Sequence, residues 1–167
     1  FYAFEMLYWC GLRMGELLAL TPSDFDLKEG IVHITKSYQR IHGKDVITDP
    51  KTEKSVRNIK MPDFLVDEIK DYLNALYSVG SDTRILRITR RCLLLEMTRG
   101  GNASGVKRIR IHDLRHSHVS LLINMGFSAV AIADRVGHES IDITYRYAHL
   151  FPTTQKEIAN KLNTERG

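Results

Sequence analysis

A chain of 167 residues is the usual size of one folded domain, and its 43% apolar content can supply an ordinary hydrophobic core. The formal charge of +4 and the sequence pI of about 9.1 favour a polyanionic partner. Two separated cysteines, Cys10 and Cys92, exclude a disulfide framework and a four-cysteine zinc site, and no apolar run is long enough to cross a membrane. We therefore expect a soluble protein of the reducing cytoplasm.

Helical patterns open the chain. Apolar residues at helical spacing run over 2–20 and are interrupted at Gly11, which predicts two helices that meet near Cys10–Arg13. The segment Thr21–Asp24 then ends the second helix. Because Phe1–Leu7 already has the pattern of the middle of an amphipathic helix, we expect the chain to be a piece of something longer.

Short runs of β-type composition follow. They lie at Ile31–Thr35, Asp45–Thr48 and Ser55–Ile59, separated by Gly43 and by the turn pair Asp49–Pro50. The pattern predicts a small antiparallel three-stranded sheet packed at one edge of the fold.

The rest of the chain returns to helical patterns. Pro62 suits the first turn of a helix whose apolar stripe ends near Gly80. Further helices are expected at about 88–104, 113–125, 128–136 and 141–149, with a last amphipathic stretch at 154–162. The predicted fold class is α+β, mainly α-helical, in one domain over residues 1–167.

A strongly basic stretch lies between Arg84 and His118. It carries nine lysines and arginines against two acids, a local charge of +7. A phosphate backbone would be held here, although a solvated basic helix face would have the same composition.

Within this stretch, His112 and Arg115 stand three residues apart at a predicted helix start, so both can point at one ligand. An arginine fork suits two phosphate oxygens, and an imidazole beside it can donate or accept a proton. A metal site built on His112, His116 and His118 is the alternative, but no carboxylate or cysteine at a suitable spacing completes it.

The order of the motifs resembles that of the tyrosine recombinase family. Arg115 precedes His138 by 23 residues, and His138 precedes Tyr147 by 9, which is typical of the carboxyl-terminal half of that family. The resemblance runs from Phe1 to about Phe151. Its five motifs are Gly11–Leu17, Pro50–Thr52, His112–Arg115, Val136–His138 and Tyr145–Leu150.

The resemblance implies a catalytic domain of an integrase, which cleaves and rejoins double-stranded DNA in site-specific recombination without a metal or cofactor. It also implies a homotetramer on DNA in the full-length protein, and an amino-terminal core-binding domain that nothing in this chain matches. No membrane or small-molecule substrate is implied. The chemistry is placed on six residues, Arg13, Lys51, His112, Arg115, His138 and Tyr147.

Each implied role suits the side chain that carries it. Arg13 and Arg115 would clamp the nonbridging oxygens of the scissile phosphate, because arginine stays charged and is bidentate. Tyr147 would attack phosphorus and give a 3′-phosphotyrosyl link. Glu16, one helical turn beyond Arg13, would orient that arginine.

The remaining roles concern protons. Lys51 would protonate the departing 5′ oxygen, His112 would accept or donate a proton, and His138 would hydrogen-bond the phosphate. The interval of 38 residues from Arg13 to Lys51 is long for compact members of the family and indicates an extended hairpin.

Three alternatives stay open at this point. Tyr145 competes with Tyr147, but two residues apart on a helix they point about 200° apart, and the interval from His138 favours Tyr147. The segments 128–138 and 141–147 would also suit a helix-turn-helix regulator. A type IB topoisomerase would use nearly the same chemistry.

Overall fold

Seven α-helices and five short strands make up the part of the chain that the structure describes. The computed structural model describes residues 1–50, 52–77, 79–145, 147 and 163. The strands are β1 (Phe25–Asp26), β2 (Ile31–Ile34), β3 (Ser37–Ile41), β4 (Lys44–Thr48) and β5 (Arg57–Lys60). The helices are α1 (Tyr2–Trp9), α2 (Met14–Ala19), α3 (Asp63–Ala75), α4 (Arg90–Ser104), α5 (Ile111–Asn124), α6 (Ala129–Val136) and α7 (Ile141–Tyr145). The expected mainly helical α+β class is confirmed.

The first two helices meet at a turn that requires glycine. Residues 10–13 separate α1 from α2, as predicted. Gly11 has a φ of +61°, and a Cβ at this position would lie only 2.6 Å from Cδ2 of His118 on α5. The α1–α2 turn is therefore held directly against α5.

The expected three-stranded antiparallel sheet is present, with a different set of strands from the one predicted. Its order is β1-β2-β5, so Val32 in the middle strand pairs with Phe25 on one side and Ile59 on the other. Val32, Ile34 and Ile59 are buried and join the main core, which α1, α2 and α3 also line.

The predicted strand at 45–48 belongs to a separate hairpin. It is part of β4, which pairs with β3 and not with the sheet. His42 and Gly43 connect the two strands with φ values of +48° and +78°, the two-residue turn that matches strand twist. Such a tight turn pairs the strands that it directly connects, and this is why the sequence-based assignment to the sheet was wrong.

The helices of the middle of the chain agree with their predictions. Helix α3 follows Pro62 and buries Leu65 and Ile69, but it ends at Ala75, before the expected end near Gly80. Helix α4 corresponds to the helix expected at about 88–104; the Thr89 hydroxyl accepts a hydrogen bond from the N–H of Cys92 at its start. Helix α4 ends at Gly105, whose φ is +68°.

Helix α5 connects two hydrophobic clusters. Its first residue, Ile111, is buried in the main core, whereas Val119 and Ile123 form a second cluster with residues of α6. Arg115 lies on the stretch of α5 between these two apolar regions. A buried charge is thereby placed where the two clusters meet.

The last predicted elements fall largely outside the described residues. Helix α7 is the start of the helix expected at 141–149, while the amphipathic stretch expected at 154–162 lies outside them. No helix in the described part of the chain has both the length and the apolar composition that a membrane crossing needs.

Candidate active site

Arg13 occupies the residue before α2 and points toward the end of α6. Glu16 holds it in place: its carboxylate accepts the Arg13 backbone N–H at 2.9 Å and the Nη1–H at 2.7 Å. Arg13 Nη2 donates to the carbonyl oxygen of Gly137 at 2.8 Å. The predicted contact between Glu16 and Arg13 is therefore present, and about a third of the Arg13 side chain stays exposed.

Glu16 has a second partner, Arg57 on β5, a residue that lies in none of the five sequence motifs. Arg57 Nη1 and Nη2 donate to the two carboxylate oxygens at 3.1 and 2.9 Å, and both side chains are buried. Burial alone would raise the pKa of Glu16, but the bonds and charge of Arg57, with those of Arg13, lower it overall. A signal existed in the sequence, because Arg57 stands two residues before Ile59 and so shares its buried strand face.

Arg115 is buried on α5, with 3% of its surface exposed. Its Nη1 donates to the carbonyl of Gly11 and its Nη2 to the carbonyl of Val136, each at 2.6 Å. These bonds use two of the five N–H donors of a guanidinium. Burial, followed by the charge of Arg13, lowers the pKa of Arg115 to about 9.

The two arginines therefore converge on one point of the backbone. Arg115 donates to the carbonyl of Val136 and Arg13 to that of Gly137, the next residue. His138 follows immediately. The sequence motifs of Arg13, Arg115 and His138, separated by more than 100 residues at their extremes, are brought together in space.

His138 is buried at the end of α6. Its Nδ1 shares a hydrogen bond of 2.8 Å with Oγ1 of Thr144, which orients the ring. Burial, then the charges of Arg115 and Arg13, lowers the pKa of His138 to about 4. The ring is therefore neutral at pH 7 and can hydrogen-bond an anion without carrying a charge.

His112 lies in the first turn of α5 and is exposed to solvent. Its ring meets the ring of His116 edge-on, with centroids 4.7 Å apart. Burial of part of the ring, then His116, Arg115 and Arg13, lowers the pKa of His112. His112 is therefore close enough to Arg115 and Arg13 to be affected by their charges; that His112 and Arg115 point at one ligand stays a prediction.

Tyr147 is half-buried and lies against α5. Its hydroxyl forms a hydrogen bond with Nδ1 of His116, and it packs on the second hydrophobic cluster. Tyr147 is also near enough to Arg115 to affect the pKa of that guanidinium. Tyr145, its competitor, is 52% exposed. His116 was considered in the sequence as part of an alternative metal site, and its contact with Tyr147 was not predicted.

Lys51 lies outside the described residues, so its predicted place stays a prediction. The residue before it, Pro50, lines a cavity of about 160 Å³ that Arg13 and Glu16 also line. On the other side, Lys54 donates from Nζ to the carbonyl of Glu139 at 3.1 Å. The chain on both sides of position 51 is therefore close to the arginine cluster.

Some basic side chains of the stretch 84–118 line a groove, and others make contacts within the fold. Two cavities of about 590 and 480 Å³ share Arg13 and Arg90, and between them they add Arg91 and Arg110. Arg84 instead covers the ring of Tyr38 and bonds Asp45, and Arg99 pairs with Glu96. Arg110 also pairs with Asp113, so neighbouring acids offset part of the positive charge counted in the sequence.

This arrangement is suited to holding a tetrahedral anion next to a phenol. The charges of Arg13 and Arg115 act on both His112 and His138, so these four groups are close to one another. Preorganised donors of this kind stabilise negative charge that develops on a ligand. Among the described residues, no group of three or more histidine, cysteine or acidic side chains could hold a metal ion.

Comparison with known protein families gives a match over nearly the whole chain. The model of the phage integrase family matches residues 2–154. The ICEBs1 integrase of Bacillus subtilis is 32% identical over 174 residues, which cover 96% of this chain and 47% of that protein. The integrase of Staphylococcus phage L54a is 29% identical over 182 residues, covering 96% and 50%. The chain thus spans about half the length of these relatives.

Solved structures show the same fold. The Tn1549 transposon integrase, in complex with a circular intermediate DNA, superposes with a TM-score of 0.81 at 19% identity, over 99% of this chain and 58% of that one. The XerH site-specific recombinase bound to difH gives a TM-score of 0.69 at 24% identity, over 95% and 45%. With the family match, the relatives and the shared fold in agreement, this chain belongs to the phage integrase family of tyrosine recombinases.

Proposed function

We propose that this chain is the catalytic part of a site-specific DNA recombinase, which integrates or excises a mobile element by cutting and rejoining DNA through Tyr147. The observation that supports this most directly is the convergence of Arg13 and Arg115 on the consecutive carbonyls of Gly137 and Val136. Two guanidiniums fixed side by side next to His138 suit one phosphodiester. The relatives, which are integrases of mobile elements, support the same activity.

The proposed reaction begins with attack of the Tyr147 oxygen on the scissile phosphorus. Arg13 and Arg115 stabilise the charge of the pentacoordinate transition state, the part that a metal ion has in many nucleases. The bond to the 5′ oxygen breaks, and a 3′-phosphotyrosyl link forms. Because the phosphodiester energy is kept in that link, rejoining needs no nucleotide cofactor.

Proton transfers complete the proposed reaction. Lys51 donates a proton to the departing 5′ oxygen, and His112 accepts or donates a proton at the electropositive end of α5. His138, held by Thr144, hydrogen-bonds the phosphate. The assignments of His112, His138 and Lys51 rest on the motifs and on the neighbourhood of the two arginines.

The proposed partner is double-stranded DNA. The groove beside Arg13, Arg90 and Arg110 provides positive charge for a phosphate backbone. Structural neighbours were determined as DNA complexes, namely the Tn1549 integrase and XerH. The full-length protein is proposed to act as a homotetramer on two duplexes.

The proposal is tested with a nicked suicide duplex built from the DNA repeats that flank the element encoding the protein. Incubated with the full-length protein, this substrate should give a covalent protein–DNA adduct on a denaturing gel. Tyr147→Phe should abolish the adduct, and the matched variant Tyr145→Phe should retain it. An adduct formed by Tyr147→Phe would show that another group is the nucleophile.

Two further readouts separate related activities. Chelation by EDTA should leave the adduct yield unchanged, because arginines take the place of a metal. Two duplexes that carry the site should exchange strands, whereas a type IB topoisomerase would only relax supercoiled DNA. A helix-turn-helix regulator would bind the site without any adduct.

A further inference from the structure

We propose that His116 is a catalytic residue that accepts the hydroxyl proton of Tyr147 as this tyrosine attacks phosphorus. The inference rests on the proposed function, which makes Tyr147 the nucleophile. It assigns to His116 a step that the motif comparison leaves with His112.

The geometry that carries the proposal is the direct hydrogen bond between His116 Nδ1 and the Tyr147 hydroxyl. The two rings are tilted by 44° with centroids 5.8 Å apart, so that the bond joins ring edges and the rings are not stacked. Both side chains are partly buried. A general base must reach the proton that it removes, and His116 does so before any substrate is bound.

The other two imidazoles of the site have different contacts. His138 Nδ1 is bonded to Thr144 Oγ1, which fixes that ring toward α7. His112 contacts the edge of the His116 ring and is exposed to solvent at the start of α5. Among the described imidazoles, His116 is therefore the one that contacts the reacting oxygen, while His112 and His138 remain available to the phosphate.

The proton balance of the step is complete. In the neutral tautomer that carries its proton on Nε2, His116 Nδ1 accepts the hydroxyl hydrogen of Tyr147. As the new oxygen–phosphorus bond forms, that proton passes to Nδ1, and the imidazole becomes a cation. The phosphorus–O5′ bond breaks, and the 5′ oxygen takes a proton from the ammonium group that the proposed function assigns to Lys51. In the rejoining step both proton transfers reverse.

Substitution by asparagine separates proton transfer from positioning. The amide oxygen of His116→Asn can accept a hydrogen bond from Tyr147 in place of Nδ1, but it is too weak a base to take the proton. On the nicked suicide duplex, the full-length variant should form adduct more slowly by roughly 10²- to 10⁴-fold, the range typical of a lost general base. Ser117→Ala is the matched control, because Ser117 is exposed on the same helix and its hydroxyl bonds the carbonyl of Asp113.

A second substrate tells which proton is affected. When sulfur replaces the bridging 5′ oxygen, the leaving group is a thiolate that needs no proton. The defect of His116→Asn should persist on this phosphorothiolate duplex, whereas a defect caused by Lys51→Ala should largely disappear. If the His116→Asn rate is within about threefold of the wild-type rate, or recovers on the sulfur substrate, the assignment of His116 is wrong. His116→Gln gives the same two readouts if urea denaturation shows that His116→Asn is unfolded.

The design also distinguishes failure of the inference from failure of the proposed function. If the wild-type protein forms no adduct, or Tyr147→Phe still forms one, both the proposed function and the inference about His116 are wrong. If the adduct depends on Tyr147 but not on His116, only the inference fails.

Discussion

Glu16 is the carboxylate on which the position of Arg13 depends, and it is shared between two arginines. Arg57 approaches both of its oxygens from β5, while Arg13 approaches from the start of α2. Arg57 also donates from Nε to the carbonyl of Arg135 at the end of α6. A buried ion pair is costly to form, but removal of one partner is more costly. Without Arg57, the buried Glu16 carboxylate would keep Arg13 as a partner but would lose both hydrogen bonds from the buried Arg57 guanidinium.

Arg57→Met should therefore lower the free energy of unfolding by roughly 3–5 kcal/mol, the cost of breaking a buried pair. Urea denaturation measures this, and the change should be compared with that of Arg40→Met. Arg40 is an exposed arginine of β3 whose ion pair with Asp45 is 3.8 Å long, so its loss should cost less than about 1 kcal/mol. Equal losses in the two variants would mean that Glu16 does not depend on Arg57.

These residues mark the limit of what the sequence alone could predict. Arg13, Arg115 and His138 were predicted from motifs with fixed spacing, and the structure brings them together at two adjacent carbonyls. Arg57 and His116 belong to no such spacing. Periodicity along β5 indicates that Arg57 is buried. It does not indicate the partners of Arg57 or of His116, which depend on which elements pack face to face.

The end of α6 is the element that positions the whole site. Gly137 ends the helix with a φ of +68°, and its own carbonyl accepts Arg13. A Cβ here would lie 2.9 Å from the carbonyl oxygen of Lys54 and 3.1 Å from Nη1 of Arg57. The end of α6 therefore packs closely against the chain at Lys54 and Arg57, and only glycine leaves room for this contact.

Gly137→Ala can be compared with Gly105→Ala, since both glycines end a helix at a φ of +68°. At Gly105 a Cβ would meet nothing within 4 Å, so the variant should lose only the roughly 1–2 kcal/mol of left-handed strain. Gly137→Ala should lose roughly a further 1–3 kcal/mol from overpacking. It should also slow adduct formation, because the carbonyl bound by Arg13 must move.

Urea denaturation gives both stabilities and the suicide duplex gives the rates. Similar losses of stability for the two alanine variants, with unchanged adduct formation, would contradict the close packing at Gly137.

Helices were easier to predict than strand pairing for a physical reason. A helix is stabilised by contacts within its own segment, so caps such as Thr89 and Ser128 and a glycine end mark it in the sequence. A strand acquires its partner from elsewhere in the chain. The polar residues Gln39 and Arg40 concealed β3, and without it the strand at 45–48 was assigned to the wrong sheet.

At the scale of the whole molecule, buried arginine charge lies between the two apolar clusters. This charge affects the pKa values of two buried histidines. Burial, followed by nearby arginines, lowers the pKa of His118 and of His138 to about 4 each. For His118 the nearest of these charges is Arg135, whose Nε donates to the ring at 3.1 Å. Both histidines are therefore neutral in the folded protein at pH 7.

Stability should consequently fall on acidification. The unfolded chain binds these protons near the ordinary histidine pKa of 6.5, whereas the folded protein does not bind them until about pH 4. Each histidine thus contributes stability above pH 6.5 that is lost between pH 6.5 and 4, roughly 3 kcal/mol at most. Urea midpoints measured across this window should decrease with falling pH. His118→Gln should make the decrease shallower, and an unchanged slope would contradict the neutral burial of this ring.

The anchoring of both arginines to main-chain carbonyls affects how this site can evolve. Substitution of Val136 by another apolar residue changes a side chain but leaves the carbonyl that Arg115 uses. Gly11 and Gly137, in contrast, must stay glycine. A Cβ at Gly11 would collide with His118, and a Cβ at Gly137 would collide with the Lys54 carbonyl. Selection on the positions of Arg13 and Arg115, which we propose hold the phosphate, therefore acts on the path of the chain. Neighbouring side chains can diverge while that path is kept.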